Sequence, residues 1–346
     1  MTSITFILPT FNRKEYLFRA IESSLSCRSD SWTPYVLVID GYSDDGSYEL
    51  LISKYKDNTQ VEVVQYNRIG FQDTAFYGVG LVKTEYAAFM YDDDVITPDY
   101  IAMIDKMISL GHRFVMGFGK MYPVEKVIEF SKLHDKIKEY NTIDFLLNYF
   151  GQHNTTKHID MPVSPICCVV TSSFMHDWVK IVRDYCSRSK IRTYYMLKRN
   201  IGPDILIFLA SILRCRNNVL VADEVVGQFS YHDASMSIIY GSRHLEVGYW
   251  LGKRWAVDQL FEQGQLIAAE KASAYLLVTW LKILVLMLFS RQDRSWFFHF
   301  YLEGLGLARM VASKARWNRM FRKICTAFGG VVIQKIKRYR LMPVKG

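Results

Sequence analysis

Cysteine is scarce in this 346-residue sequence, and the six present (Cys27, Cys167, Cys168, Cys186, Cys215 and Cys325) form no C-x-x-C pair. That excludes a disulfide-stapled scaffold and suits reduced thiols in a cytosolic compartment. Cys167 and Cys168 lie in an apolar run with no His or Cys at metal-ligand spacing, so they read as small buried side chains. No G-x-G-x-x-G, Walker loop or Ser-His-Asp arrangement occurs. Collagen periods, heptad arrays and low-complexity tracts are also missing, which excludes fibrous classes. Met1 to Leu8 lack the basic and long apolar regions of a secretory signal, and read as a buried strand. The sequon Asn154-Thr155-Thr156 therefore carries little weight.

Half of the residues are hydrophobic and 22% are charged, enough for a sizeable core and too apolar for a disordered chain. The length allows two or three domains, or one large domain with an appendage. The net charge of +9 is uneven. From Arg291 to Gly346, thirteen Lys and Arg face only Asp293 and Glu303, a net +11, which leaves −2 for residues 1–290. A near-neutral body with a basic tail points to an anionic partner, either nucleic acid or a membrane surface.

Apolar runs alternate with helical patterns through the first third. Strands are expected at Ile4–Leu8, Tyr35–Ile39, Val61–Val64 and Tyr86–Tyr91, with helices at Lys14–Leu25, Tyr48–Tyr55 and Phe71–Val82. This predicts an α/β fold with a mostly parallel sheet flanked by helices. Ligands of such sheets bind at the carboxyl ends of the strands. Pro9, Asp40 and Asp92-Asp93-Asp94 all fall at such ends. Further on, Pro98 opens a helix to about Leu110, and strands are expected at Arg113–Met121, Val163–Ser173, Val219–Val221 and Val225–Tyr231. Gly202-Pro203-Asp204 precedes an apolar helix, Ile205–Leu213. From His244 to Phe289 the pattern is helical and aromatic. Its most apolar part, Tyr275–Phe289, would span about 23 Å as a helix, short of a hydrocarbon core of about 30 Å. Arg309–Arg340 mixes Trp317, Phe321, Phe328 and Ile333 with Lys and Arg, as a basic amphipathic segment on an anionic membrane does.

Three adjacent carboxylates, Asp92, Asp93 and Asp94, repel one another unless a hard cation neutralises them. Asp40 can accept from a base imide or a ribose hydroxyl, whereas Asp45 and Ser47 suit a turn and helix cap. The ordered set Ile7-Leu8-Pro9-Thr10-Phe11-Asn12-Arg13, then Val38-Ile39-Asp40 with Ser43 and Asp45-Gly46-Ser47, then Phe89-Met90-Tyr91-Asp92-Asp93-Asp94 with Pro98, resembles the family 2 glycosyltransferases of GT-A fold. The likeness is close over residues 3–110, loose over 160–235, and does not reach the tail.

That resemblance implies a GT-A-like, Rossmann-type sheet with a C-terminal helical extension. A catalytic domain would cover 1–240, with a nucleotide-binding half to about 110 and an acceptor half over 111–240. A basic, membrane-associated extension would follow over 241–346. It implies an inverting transferase that takes a sugar from a nucleoside diphosphate-sugar, a UDP-sugar above others, to a hydroxyl of a lipid-linked or saccharide acceptor in surface polysaccharide assembly. Pro9, Thr10, Asn12, Arg13, Asp40, Arg68 and Asp92 would lie on the donor nucleotide. The acidic triplet would match the DxD motif and carry Mg²⁺ or Mn²⁺ with His232, which two of the three Asp residues bind being open. Asp204 would be the general base, although Pro203 stands where relatives carry an acid, and a helix-capping role is the alternative. The basic stretch Arg188–Arg199 could be a lid or a solvated loop. The expected location is cytoplasmic, peripheral on the membrane, with C-terminal helices that could pair two chains. A sugar nucleotidyltransferase lacks support, because Pro9-Thr10-Phe11-Asn12 is not a Gly-rich loop. A non-catalytic nucleic-acid binder lacks any reader module, so no nucleic acid partner is expected.

Overall fold

The computed structural model describes residues 2–27, 31–67, 71–109, 114–126, 129–130, 137–150, 164–215, 218–233, 235, 241–288 and 294–314. Nine strands form one sheet among them: β1 (Thr2–Thr10), β2 (Trp32–Asp40), β3 (Val61–Gln65), β4 (Tyr86–Phe89), β5 (Val95–Ile96), β6 (Phe114–Pro123), β7 (Ile137–Asn141), β8 (Cys168–Thr171) and β9 (Asn218–Tyr231). The order is β3-β2-β1-β4-β8-β6-β9-β5, and β7 also pairs with β9. The first four strands are parallel. Beyond them β8 runs antiparallel to β4 and β6, while β6 and β9 are parallel.

Helices cover both faces. They are α1 (Lys14–Ser26), α2 (Ser47–Tyr55), α3 (Phe71–Leu81), α4 (Tyr100–Ser109), α5 (Thr142–Tyr149), α6 (Ser172–Ser187), α7 (Ile205–Arg214), α8 (Gly241–Glu262), α9 (Leu266–Leu288) and α10 (Phe297–Lys314). Strand β1 shows how one sequence serves two cores. Ile4, Phe6 and Leu8 pack on the side of Leu17, Ile21, Leu51 and Tyr100, whereas Ile7 faces Ala75, Val79 and Trp178. Alternate residues of a strand point to opposite faces, and a strand covered on both must be apolar throughout. In α1 the buried positions Leu17, Ala20, Ile21, Ser24 and Leu25 follow the three-and-four spacing of a single helical stripe.

The later helices belong to the same interior. Trp250, Leu251, Ala269, Leu276 and Phe300 share one apolar cluster with Ile7, Phe89 and Phe208. Three expectations are corrected. Val219–Tyr231 is one strand rather than two. Helix α9 is longer than the apolar run at Tyr275, beginning nine residues before it and burying Glu270 and Ser273. At 23 residues it is about 35 Å long. By length and composition it could cross a membrane, yet just over half of its most apolar stretch is packed inside the protein. The basic stretch after Arg188 is neither lid nor solvated loop throughout. It forms the short helix Lys190–Arg192, which continues as a π-helical turn, Thr193–Lys198, and Arg192 is spent on a buried ion pair with Glu303.

Candidate functional site

The carboxyl ends of β1, β2 and β4 lie side by side at one edge of the sheet. Thr10 ends β1 opposite Asp40, which ends β2. Asp40 is fully buried. Its Oδ2 accepts from the Ser43 amide at 3.1 Å and from Gln65 Nε2 at 3.2 Å. The loops after the two strands are stapled together. Asn12, with φ of 54°, receives the Asp44 amide on Oδ1 at 3.0 Å and donates Nδ2 to Asp44 Oδ1 at 2.7 Å. Asn12 thus spends its side chain on building this edge. Asp45 takes the Lys14 amide on one oxygen and the Ser47 amide on the other, each at 3.0 Å, so one carboxylate serves the first turns of both α1 and α2. Burial opposes ionisation of Asp45, but the bonds from Ser47 and Lys14 hold its pKa below the ordinary value. Arg68 lies outside the described residues.

The acidic triplet follows β4. Asp92 Oδ2 accepts from Thr10 Oγ1 at 2.8 Å. Burial, and then the charge of Asp93, push Asp92 up to about 7, while Thr10 and Arg13 oppose the shift. Asp93 Oδ2 meets His232 Nε2 at 3.0 Å, and the His232 ring lies 4.8 Å from that of Tyr16. Asp94 Oδ1 accepts from the Ser230 amide at 2.8 Å. Burial and Asp93 raise its pKa. Arg19, a residue with no sequence signal, fastens the triplet to β9 by donating to Asp93 O at 2.7 Å and Ser230 Oγ at 3.1 Å. Among the described residues no group of three or more His, Cys, Asp or Glu converges as a complete metal site.

Asp204 precedes α7 and makes no capping hydrogen bond with its side chain. Burial pushes its pKa up to about 6 against the nearby amides of Ile205, Asp204 and Gly202. Three tyrosines surround it electrostatically: Tyr91 beside the triplet, Tyr149 from α5 and Tyr249 from α8. The pKa of each is raised by burial and then by the Asp204 charge. Tyr91 also feels Asp94 and Asp93, which links the base candidate to the triplet. Tyr91 lies within the acidic motif, whereas Tyr149 and Tyr249 have no sequence signal, because each comes from a different element.

The loop that carries Asp204 is held on two sides. Trp178 Nε1 donates to Pro203 O at 2.9 Å. On the other side Gly202, with φ of +93°, lies against α8. A Cβ on Gly202 would stand 2.4 Å from Gly248 O, and one on Gly248 would stand 2.4 Å from Ile201 O. Two glycines allow this backbone-to-backbone approach, which no larger residue permits.

A sequence model of the family described as Glycosyl transferase family 2 matches residues 5–183, just over half of the chain. The chain belongs to the family 2 glycosyltransferases. Poly(ribitol-phosphate) beta-N-acetylglucosaminyltransferase TarP of Staphylococcus aureus (strain N315) is 31% identical to it over 97 residues. That stretch is 28% of this chain and 30% of TarP, so the match spans less than a third of the relative's length. Among solved structures, S. aureus TarS 1–349 in complex with UDP-GlcNAc superposes with a TM-score of 0.57 at 13% identity, covering 98% of this chain and 92% of that one. The longer S. aureus TarS structure gives 0.51 at 14% identity, covering 81% of this chain and 43% of that one. Such identities speak for a shared GT-A fold. In this family 2 glycosyltransferase the ends of β1 and β2 meet at Thr10 and Asp40, and Tyr91 stands in the field of both Asp204 and the acidic triplet. Among its described residues, three carboxylate oxygens are buried without a hydrogen-bond partner: Asp40 Oδ1, Asp94 Oδ2 and Asp204 Oδ1. Buried polar atoms are almost always paired, and orphan carboxylate oxygens near the strand ends suit ligand chemistry.

Proposed function

We propose that this enzyme is an inverting transferase that moves a sugar from a UDP-sugar to a hydroxyl of a saccharide or lipid-linked acceptor in surface glycan assembly. The observation that carries the reading is Asp204: a carboxylate with a shielded, unpartnered oxygen and a pKa near 6, free of any capping bond. A general base works best when its pKa lies close to the working pH. Asp204 takes the proton of the acceptor hydroxyl, the acceptor oxygen bonds to the anomeric carbon from the face opposite the diphosphate, and the bond to the diphosphate breaks. Tyr91, Tyr149 and Tyr249 wall the base and exclude water, which strengthens its interaction with the acceptor.

The donor lies over the β1–β2–β4 edge. Asp40 Oδ1 accepts from the base, Asp92 with Thr10 meets the ribose, and Pro9 and Arg13 border the nucleotide. Asp94, through its orphan oxygen, with Asp93 and His232, would hold a Mg²⁺ or Mn²⁺ ion. When bound, such an ion supplies charge neutralisation at the departing diphosphate. The TarP name and the UDP-GlcNAc held by TarS support an N-acetylglucosaminyl donor and a polyol-phosphate polymer as the specific pair. The basic tail supports a peripheral position on the cytoplasmic membrane face.

The test is nucleotide release and sugar transfer with UDP-, GDP-, dTDP- and CMP-sugars, for the wild type and Asp204→Asn. Turnover with UDP-N-acetylglucosamine that disappears in Asp204→Asn, with UDP binding retained, is expected. Full turnover in the variant overturns the assignment of the base. Binding is read by melting, since a ligand at 100 times its Kd stabilises by about 2.7 kcal/mol.

A further inference from the structure

Two packed helices at the end of the fold leave apolar strips uncovered. On α9, Leu281, Val285 and Leu288 are 56%, 55% and 46% exposed. Spacings of four and three residues put them on one face. On α10, Phe298, Tyr301 and Leu302 are 62%, 37% and 46% exposed, again on one face. The helices are joined by the short connection 289–296 and meet at Trp280. Its Nε1 donates to Phe300 O at 3.1 Å, and its ring lies 5.9 Å from that of Tyr301. The opposite sides of the same helices, with Ile283, Leu284, Met287, Phe300 and Leu307, are buried in the core. An apolar surface of this kind marks an interaction site.

The sequence that follows α10 selects the partner. Residues 315–346 contain nine Lys and Arg and no Asp or Glu, along with Trp317, Phe321 and Phe328. A second copy docked on these strips would bring two such segments together, and like charges repel. An anionic bilayer attracts the basic segment and takes up the apolar strips. Crossing the bilayer is incompatible with the buried face of α9, which carries Glu270 in the protein interior. We propose that the Leu281–Val285–Leu288 and Phe298–Tyr301–Leu302 strips seat this enzyme in the headgroup region of an anionic membrane, so that it lies on the bilayer without spanning it. The inference rests on the peripheral membrane location proposed above, and adds the surface that enters the lipid.

The experiment is vesicle flotation of the full chain with phosphatidylcholine alone and with phosphatidylglycerol added. Alongside the wild type runs Val285→Glu combined with Phe298→Glu, and light scattering reports the mass of each. The wild type is expected to float with the anionic vesicles, and the double variant to partition at least about tenfold less at an unchanged melting temperature. A double variant that floats like the wild type overturns the strips as the seat while leaving the basic tail as anchor. A wild type that ignores anionic vesicles overturns both readings. A dimeric wild type and a monomeric variant that float equally would assign the strips to a second copy and overturn the proposal.

Discussion

Replacing Gly248 with Ala tests whether the C-terminal helices belong to the catalytic machinery. The added Cβ would stand 2.4 Å from Ile201 O and 2.3 Å from Ile201 Cγ2. The carbonyl is backbone and cannot rotate away. Restoring an ordinary contact of about 3.4 Å requires the two segments to part by about 1 Å, because interiors are close-packed and pass displacement on. Ile201 is three residues before Asp204, and Trp178 holds Pro203 from the far side, so the displacement falls on the base. Overpacking costs about 1–3 kcal/mol, while Ala recovers about 1 kcal/mol of helix propensity. The melting temperature therefore changes little, and activity is the informative readout. A shift of about 1 Å at a catalytic group costs about 100-fold in rate. We expect kcat of Gly248→Ala to fall by about that factor, with UDP binding by thermal shift unchanged. Gly252→Ala meets the movable end of Ile205 at 2.6 Å, and Gly80→Ala meets nothing within 4 Å. The first should lose less rate than Gly248→Ala, and the second none. Wild-type kcat in Gly248→Ala would refute the reasoning.

Asp204 should set the acidic limb of the rate: with its pKa near 6, kcat is expected to fall about tenfold per pH unit below that value. A raised carboxyl pKa means that the folded state binds the proton more tightly than the unfolded chain. The ionised group therefore costs stability above about pH 6, and the cost fades as pH drops toward 4. Asp204→Asn should accordingly raise the melting temperature at pH 7, by the equivalent of up to about 3 kcal/mol, while abolishing transfer; a lower melting temperature would count against the buried-base reading. Asp40→Asn can keep an oxygen toward Ser43 and Gln65 but presents an NH₂ where the base should donate. A rise in donor KM of about 5- to 150-fold at nearly constant saturated kcat is expected, from a lost partner worth about 1–3 kcal/mol. Arg192 donates two hydrogen bonds to Glu303, at 2.9 and 2.6 Å, in a largely buried pair between the π-helical turn region and α10. Arg192→Ala strands the Glu303 charge and should cost about 3–5 kcal/mol in a denaturant titration, whereas replacing both with Met and Leu should cost much less.

The strand ends with their carboxylates were legible in sequence because their parts are local. A short apolar run ending in Pro9, Asp40 or the Asp triplet predicts a strand and its carboxyl end, and parallel strands place those ends side by side. The helices α1 to α3 followed from spacing for the same reason. Chain distance limited the rest. Arg19 and Ser230 fix the triplet across 211 residues, and no local pattern connects them. Arg192 looked like one more cation of a basic stretch until α10 supplied Glu303. The three tyrosines near Asp204 come from the segment after β4, from α5 and from α8, so only the folded chain puts their hydroxyls in one field. By itself the sequence determined the α/β alternation, the strand-end carboxylates, the family and the charge of the tail, all properties of neighbouring residues. The tertiary structure decided which carboxylate oxygens are left unpartnered, that the C-terminal helices share one apolar core with the sheet, and which helical faces stay bare. Those depend on what is buried against what, and burial is a property of the packed whole.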